Sequence, residues 1–184
     1  SRAQAEVGTP MQIMDPWTKE PMMDGDKPCR VIVRGTASKS MQSLLREKQR
    51  AAMTAHKKGK GDDEARVMED VHNQLCDGAA AFIAGFENIH RGDRLCYVNG
   101  YELVDVYGFD DVNEWVVIGQ EKQKDTDWFL DLTFPEMGMK EDDNGDPIIE
   151  DGAPVFEMKN NPFAKQVGEY AGKQSNHMGN VKKG

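Results

Sequence analysis

The chain has 184 residues, which is enough for one domain with a decorated edge and too few for two full domains. Its 32 acidic residues outnumber its 23 lysines and arginines, so the formal net charge is -9. This balance argues against a general nucleic-acid binder, whose affinity would come from neutralising phosphates.

Several absences predict a non-secreted protein of the cytoplasm. No run of about 18 apolar residues occurs, and residues 1–10 lack the apolar core of a secretory signal. Cys29, Cys76 and Cys96 are odd in number and far apart, which is typical of reduced thiols. The four histidines supply no closely spaced cluster for structural zinc, so we expect neither a metal nor a cofactor.

The N-terminal part of the chain predicts an extended arm followed by a strand. Residues 1–28 are rich in proline, glycine, aspartate and methionine. Trp17, Met22 and Met23 would dock this arm on the core or on a neighbour. Residues 29–34 then form a β-branched run between a proline and a glycine, which predicts a short strand.

Two amphipathic helices joined by a Gly-Lys loop form the clearest pattern. Ser38 or Ser40 caps the first helix, which runs to about residue 57 and has a basic face that includes Arg46 and Arg50. The second helix reaches about residue 89. Its apolar stripe recurs at steps of three and four residues, at Met68, Val71, Leu75, Ala79, Phe82 and Phe86. The two helices would pack as an antiparallel hairpin.

Beyond these helices the apolar pattern changes to that of strands. The Asn99-Gly100 pair predicts a β-hairpin within residues 95–106. Residues 115–118 and 128–134 add two more strand-like runs that are rich in aromatic and β-branched side chains.

The C-terminal third combines an acidic stretch with a final helix. Residues 131–157 hold nine acidic residues and one lysine, a formal charge of -8, and predict a surface loop or a β-excursion. Pro162 starts a helix over residues 163–174. Together these elements predict an α+β, mainly α fold built on an antiparallel helical hairpin and a C-terminal helix. Its segments are an extended arm (1–28), a strand plus helical hairpin core (29–94), a β-rich acidic insertion (95–158), and a C-terminal helix and tail (159–184).

Short motifs that suggest chemistry have simpler interpretations. Asp142 and Asp146 belong to a run that begins like a calcium loop, but Pro147 stands where the loop glycine should be and Ala153 replaces the bidentate glutamate. Residues 91–93 spell Arg-Gly-Asp, which a tight turn explains. No nucleophile elbow, phosphate-binding loop or His-Glu-x-x-His motif occurs, so we expect no enzyme. The eleven methionines suit either an adaptable protein-binding surface or ordinary core filling.

The order of several short segments carries a family resemblance. The segments are VRGTAS at 33–38, LREKQR at 45–50, FENI at 86–89, NPFAKQVGEY at 161–170 and SNHM at 175–178. This layout covers about residues 24–90 and 160–180, and it resembles the tail assembly chaperones of long-tailed bacteriophages. The 95–158 insertion, and Ala37 where the family has an acidic residue, depart from the pattern.

The resemblance implies a small, mainly helical, non-enzymatic protein of the host cytoplasm. It would bind the tape measure and tail tube proteins until the tube polymerises. We expect no membrane or direct nucleic-acid partner, and the chain could also form a homo-oligomer. The expected contact residues, from amphipathic spacing, are Met68, Val71, Leu75, Phe82 and Phe86, with Arg46 and Arg50 on the facing helix. One alternative is a structural component of the virion in the tail, neck or baseplate. Another is an enzyme or a metal-dependent regulator, which calcium-dependent thermal stabilisation that is lost in Asp142→Ala and Asp146→Ala would reveal.

Overall fold

The computed structural model describes residues 8–35, 64–96 and 115–173. Within these ranges lie three helices and eleven short strands, so the prediction of a mainly α fold is wrong. The helices are α1 (Glu64–Ala80), α2 (Trp115–Asp131) and α3 (Phe163–Gly172). None of the three is long and apolar enough to cross a membrane.

The strands are short, and most of them form isolated pairs. They are β1 (Thr9–Gln12), β2 (Met23–Asp24), β3 (Lys27–Pro28), β4 (Arg30–Val33), β5 (Ile83–Glu87), β6 (His90–Arg91), β7 (Arg94–Leu95), β8 (Met137–Met139), β9 (Ile149–Glu150), β10 (Ala153–Pro154) and β11 (Phe156–Met158). In the described ranges only β1, β4 and β5 join into a larger sheet, in the antiparallel order β1-β4-β5. The predicted strand at residues 29–34 is confirmed as β4, the centre of that sheet.

One face of this sheet forms the floor of the core. Met11, Val31 and Phe86 are paired across the three strands and all are buried. Because alternate residues of a strand point to the same face, Val33 joins them. Helices α2 and α3 pack over this face of the sheet. The Phe129 ring of α2 packs edge-on against Phe86, with ring centroids 5.2 Å apart, and it stacks on Phe163 of α3 with centroids 4.7 Å apart.

The predicted N-terminal arm belongs to the core over its described part. Residues 8–28 supply β1, and Met11 and Ile13 are buried. Met22 also packs against the core, whereas Trp17 and Met23 are exposed. The arm is therefore an edge strand with its own hairpin (β2–β3) and not a detached extension.

Helix α3 holds this segment through the buried side chain of Gln166. The backbone N–H of Met14 donates to Gln166 Oε1 at 3.0 Å, and Gln166 Nε2 donates to the carbonyl oxygens of Met14 and Asn161, both at 2.9 Å. The amide thus pairs with Met14 as a neighbouring strand would. Leucine at this position would leave buried backbone groups without partners.

We therefore expect Gln166→Leu to lower the free energy of unfolding by about 1–3 kcal/mol. Urea denaturation of the purified chain measures this loss. The control is Lys165→Leu, one position earlier on α3, which removes only a solvent-accessible ion pair with Glu169 and should cost less than about 1 kcal/mol. Equal effects at both positions would show that the amide does not anchor the arm.

The structure differs from the prediction at the end of the second predicted helix and in the two strands predicted after it, because tertiary contacts override the local pattern of apolar residues. Helix α1 stops at Ala80, and the continuation of its apolar stripe enters β5, where Ile83 pairs with Val33. The predicted strands at 115–118 and 128–134 are wrong, because α2 covers the first run and most of the second. The described part of the 95–158 segment is accordingly a helix followed by β structure.

The C-terminal predictions agree better with the structure. Pro162 immediately precedes α3, as its fixed backbone angle allows. The acidic stretch is a β-excursion, formed by β8 to β11. The predicted first helix, with Arg46 and Arg50, and the Asn99-Gly100 hairpin lie outside the described residues.

Candidate partner-binding surface

Residues 136–159, named here the ribbon, form a double-stranded excursion between α2 and α3. At its base β8 pairs antiparallel with β11, and at its far end β9 and β10 form a small hairpin. Glu141 bridges to Pro147 in a second small loop at that end. The residues of the ribbon are exposed or half-buried, so it stands outside the core.

One side of the ribbon, named here the apolar face, carries four large hydrophobic side chains. Met139 lies opposite Phe156, and Met137 lies opposite Met158. Cross-strand partners share a face, as do alternate residues of one strand, so the four side chains are grouped together. Met137, Met139 and Phe156 remain 41%, 43% and 57% exposed. Contiguous apolar patches on a protein surface often mark a site where a partner binds.

The opposite side of the ribbon is polar. Gly138 and Glu157 are cross-strand partners there. The aliphatic stem of Lys159 lies over Gly138, and its ammonium nitrogen is 3.2 Å from Glu157 Oε1. A partner would therefore meet the ribbon through its apolar face.

The ribbon as a whole is strongly acidic. It holds eight acidic residues and two lysines, a formal charge of -6. At the tip, Asp142 Oδ1 accepts hydrogen bonds from the backbone N–H groups of Asn144 at 2.9 Å and Asp146 at 3.0 Å. This Asx turn explains the calcium-like spacing without an ion, because the carboxylate stabilises its own loop.

A buried asparagine fixes both ends of the ribbon to each other. Asn160 Oδ1 accepts from the backbone N–H of Glu136 at 2.9 Å, and Asn160 Nδ2 donates to the carbonyl of Phe134 at 2.8 Å. Close to these Asn160 hydrogen bonds, the backbone N–H of Phe163, the first residue of α3, donates to Thr133 Oγ1 at 2.7 Å. The ribbon therefore projects from a rigid base.

The predicted apolar stripe is divided between the surface and the core. Met68, Val71 and Leu75 lie on α1 and are half-buried. Leu75 lines a groove of about 370 Å³ between α1 and α3, together with Gly78 and Gly168. These three residues of the stripe remain accessible in part.

Phe82 and Phe86 belong to the core instead. They lie beyond the end of α1, and their side chains are 5% and 0% exposed. Their spacing continues the helical stripe, but β5 directs Phe86 onto Phe129. A partner could reach Phe86 only if the core opened, whereas an edge of Phe82 lines the groove between α1 and α3 together with Leu75.

The Arg-Gly-Asp tripeptide forms a tight turn, which confirms the turn predicted from the sequence. Gly92 has a positive φ of 69° in the loop between β6 and β7. The guanidinium of Arg91 points to α2, where its Nε is 3.2 Å from Oδ1 of the fully buried Asp125. The arginine therefore makes a structural ion pair.

Comparisons with known proteins give no indication of function. No family model matches the chain, and no similar curated protein or solved structure was found. The apolar face was also missed by sequence reasoning, although its signal was present: Met-Gly-Met at 137–139 and Phe-Glu-Met at 156–158 both alternate with period two. The many acidic residues around these two segments led to the interpretation of the whole stretch as a surface excursion, and the short alternation within it was not recognised.

Proposed function

We propose that this chain is a non-enzymatic tail assembly protein of bacteriophages, of chaperone type. It binds tape measure and tail tube proteins in the host cytoplasm before the tube polymerises. The observation that carries this proposal is the apolar face of the ribbon. The class of partner comes from the sequence resemblance, and the surface supplies a chemistry that suits such a partner.

The apolar face is suited to transient capture of a hydrophobic segment. Burial of apolar surface contributes about 25 cal/mol per Å², and three of the four side chains keep large exposed fractions for a partner to cover. Methionine supplies three of the four contacts. Its flexible thioether adapts to different partner shapes, which a protein that holds unassembled subunits requires.

The charge of the ribbon limits which partner fits. A formal charge of -6 surrounds the apolar face, so like-charged copies of the chain repel one another. A segment with both apolar and basic side chains would gain from apolar burial and from charge attraction together. We therefore expect the captured segments of the tail proteins to be hydrophobic and flanked by lysine or arginine.

Co-expression tests the proposed function. The tape measure protein of the same phage is produced in bacteria with and without this chain, and its soluble fraction is measured by sedimentation and immunoblotting. We expect the chain to raise the soluble fraction severalfold and to co-purify with the tape measure protein. Unchanged solubility without co-purification would contradict the proposal.

A structural role in the virion is the second candidate. A rigid ribbon with one apolar face would also suit a permanent tie between neighbouring subunits. The two roles differ in the finished particle, where a structural component remains and a chaperone does not.

A further inference from the structure

A histidine, a cysteine and an aspartate meet between α1 and α2. His72 and Cys76 are four residues apart on α1 and therefore lie on the same side of the helix. Asp131, the last residue of α2, faces them. His72 Nε2 lies 3.0 Å from Asp131 Oδ1 and 3.5 Å from Cys76 Sγ. The potential ligand atoms all lie within 4.8 Å of one another.

The two separations from His72 Nε2 are close to the edges of a tetrahedral zinc site. With Zn–N of about 2.0–2.1 Å, Zn–S of about 2.3 Å and tetrahedral angles, a nitrogen and a sulfur ligand lie about 3.5 Å apart, and a nitrogen and an oxygen about 3.3 Å. The observed distances are 3.5 Å and 3.0 Å. The Asp131 side chain is 70% exposed, so a shift of a few tenths of an ångström costs little.

The type and support of the ligands favour a transition metal ion. Imidazole nitrogen and thiolate sulfur suit Zn²⁺, whereas Ca²⁺ and Mg²⁺ prefer oxygen alone. His72 is only 7% exposed, and the Phe134 ring packs against its imidazole with centroids 4.7 Å apart. The ring is therefore held in place before any ion arrives, which lowers the ordering cost of binding.

A negatively charged cleft gives the cluster access to solvent. Cys76 and Asp131 line a cleft of about 560 Å³, with Asp77 and Asp127 on the same walls. Carboxylates in such a cleft raise the local concentration of cations.

We propose that His72, Cys76 and Asp131 form a binding site for Zn²⁺, with the fourth coordination position open to the cleft. The ion ties the middle of α1 to the end of α2. Because the ligands come together only in the folded chain, binding stabilises the fold. The site stands apart from the proposed capture of tail proteins, and neither depends on the other.

Cobalt titration of the full, reduced and chelator-treated chain tests the site. We expect a cobalt–thiolate charge-transfer band that saturates at one equivalent and disappears when Zn²⁺ is added. Cys76→Ser should abolish the band. Asp131→Asn, an exposed change that leaves the core intact, should weaken Zn²⁺ binding by about tenfold or more.

Two matched variants separate this site from other sources of metal binding. Cys29→Ser removes a different thiol and should keep both the band and the affinity. Asp127→Asn removes a carboxylate of the same cleft that is not a ligand, so it should keep the band and lower the affinity much less than Asp131→Asn does. Absence of the band in the wild type, or its survival in Cys76→Ser, would overturn the proposal. A loss of affinity in Asp127→Asn as large as that in Asp131→Asn would also overturn it, because it would show diffuse attraction by acids.

Discussion

Replacement of Met139 and Phe156 together by serine is expected to weaken binding of the tape measure protein by about 30-fold or more. These cross-strand partners are the most exposed pair on the apolar face, at 43% and 57%. Covering the exposed parts of two such side chains contributes about 2 kcal/mol, which corresponds to that factor. Quantitative co-purification and titration calorimetry measure the loss, and circular dichroism should show an unchanged fold because both side chains lie outside the core.

The matched control for this double variant is Val67→Ser on α1. Val67 is similarly exposed, at 46%, but belongs to a different element. We expect wild-type binding from this variant. If Val67→Ser weakened binding as much as the ribbon variant, or if the ribbon variant bound normally, the apolar face would not be the contact surface.

Replacement of Arg91 by methionine is expected to lower the free energy of unfolding by about 3 kcal/mol or more. Methionine keeps an apolar stem but removes the charge that lies 3.2 Å from the fully buried Asp125 carboxylate. Removing one partner of an ion pair that contains a buried carboxylate is costly, because the poorly solvated carboxylate loses the guanidinium that lies 3.2 Å away. Since whole domains are stable by only about 5–15 kcal/mol, the thermal midpoint should fall clearly.

The exposed lysine at the outer end of the same ion-pair network provides the control. Lys124 Nζ lies 3.0 Å from Glu121 Oε1 and its side chain is 60% exposed, while Glu121, at 17% exposure, also has Arg91 Nη2 3.6 Å away. Lys124→Met should therefore cost less than about 1 kcal/mol. The double variant Arg91→Met/Asp125→Asn should recover part of the loss. Equal costs at Arg91 and Lys124 would show that burial of Asp125 does not control the effect.

The parts of the fold that sequence reasoning predicted are those in which local pattern and tertiary packing agree. The β-branched run of β4 is a strand in the centre of the sheet, and Pro162 opens α3. Helix α2 was missed because two of its inward positions are polar. Asp125 and Thr126 are buried beside Phe129 and Leu130, so the helical spacing of 125, 126, 129 and 130 does not show as a hydrophobic stripe.

The end of α1 was misplaced for the opposite reason. Phe82 and Phe86 continue the helical spacing of the stripe, although they lie in a turn and a strand. Pairing of β5 with β4 decides the local structure, and no pattern within the segment itself signals that partner.

Of the two candidate sites, one could have been predicted from local sequence and the other required the tertiary structure. The alternation of Met137 and Met139 is local and could have been identified beforehand. The His72 and Cys76 spacing of four was also visible, but its third member, Asp131, comes from a helix that the sequence presented as a strand. A three-ligand cluster could not be assembled until α2 was placed against α1.

Fractionation of infected cells tests most directly whether this chain captures tail proteins before assembly. Quantitative mass spectrometry would measure the chain in complexes of unassembled tape measure protein and in purified finished particles. Capture before assembly predicts that the chain is abundant in the complexes and lost from the particles. Presence in finished particles at a fixed ratio to the tail tube protein would contradict the chaperone role and support a structural one, and absence from both fractions would contradict both roles.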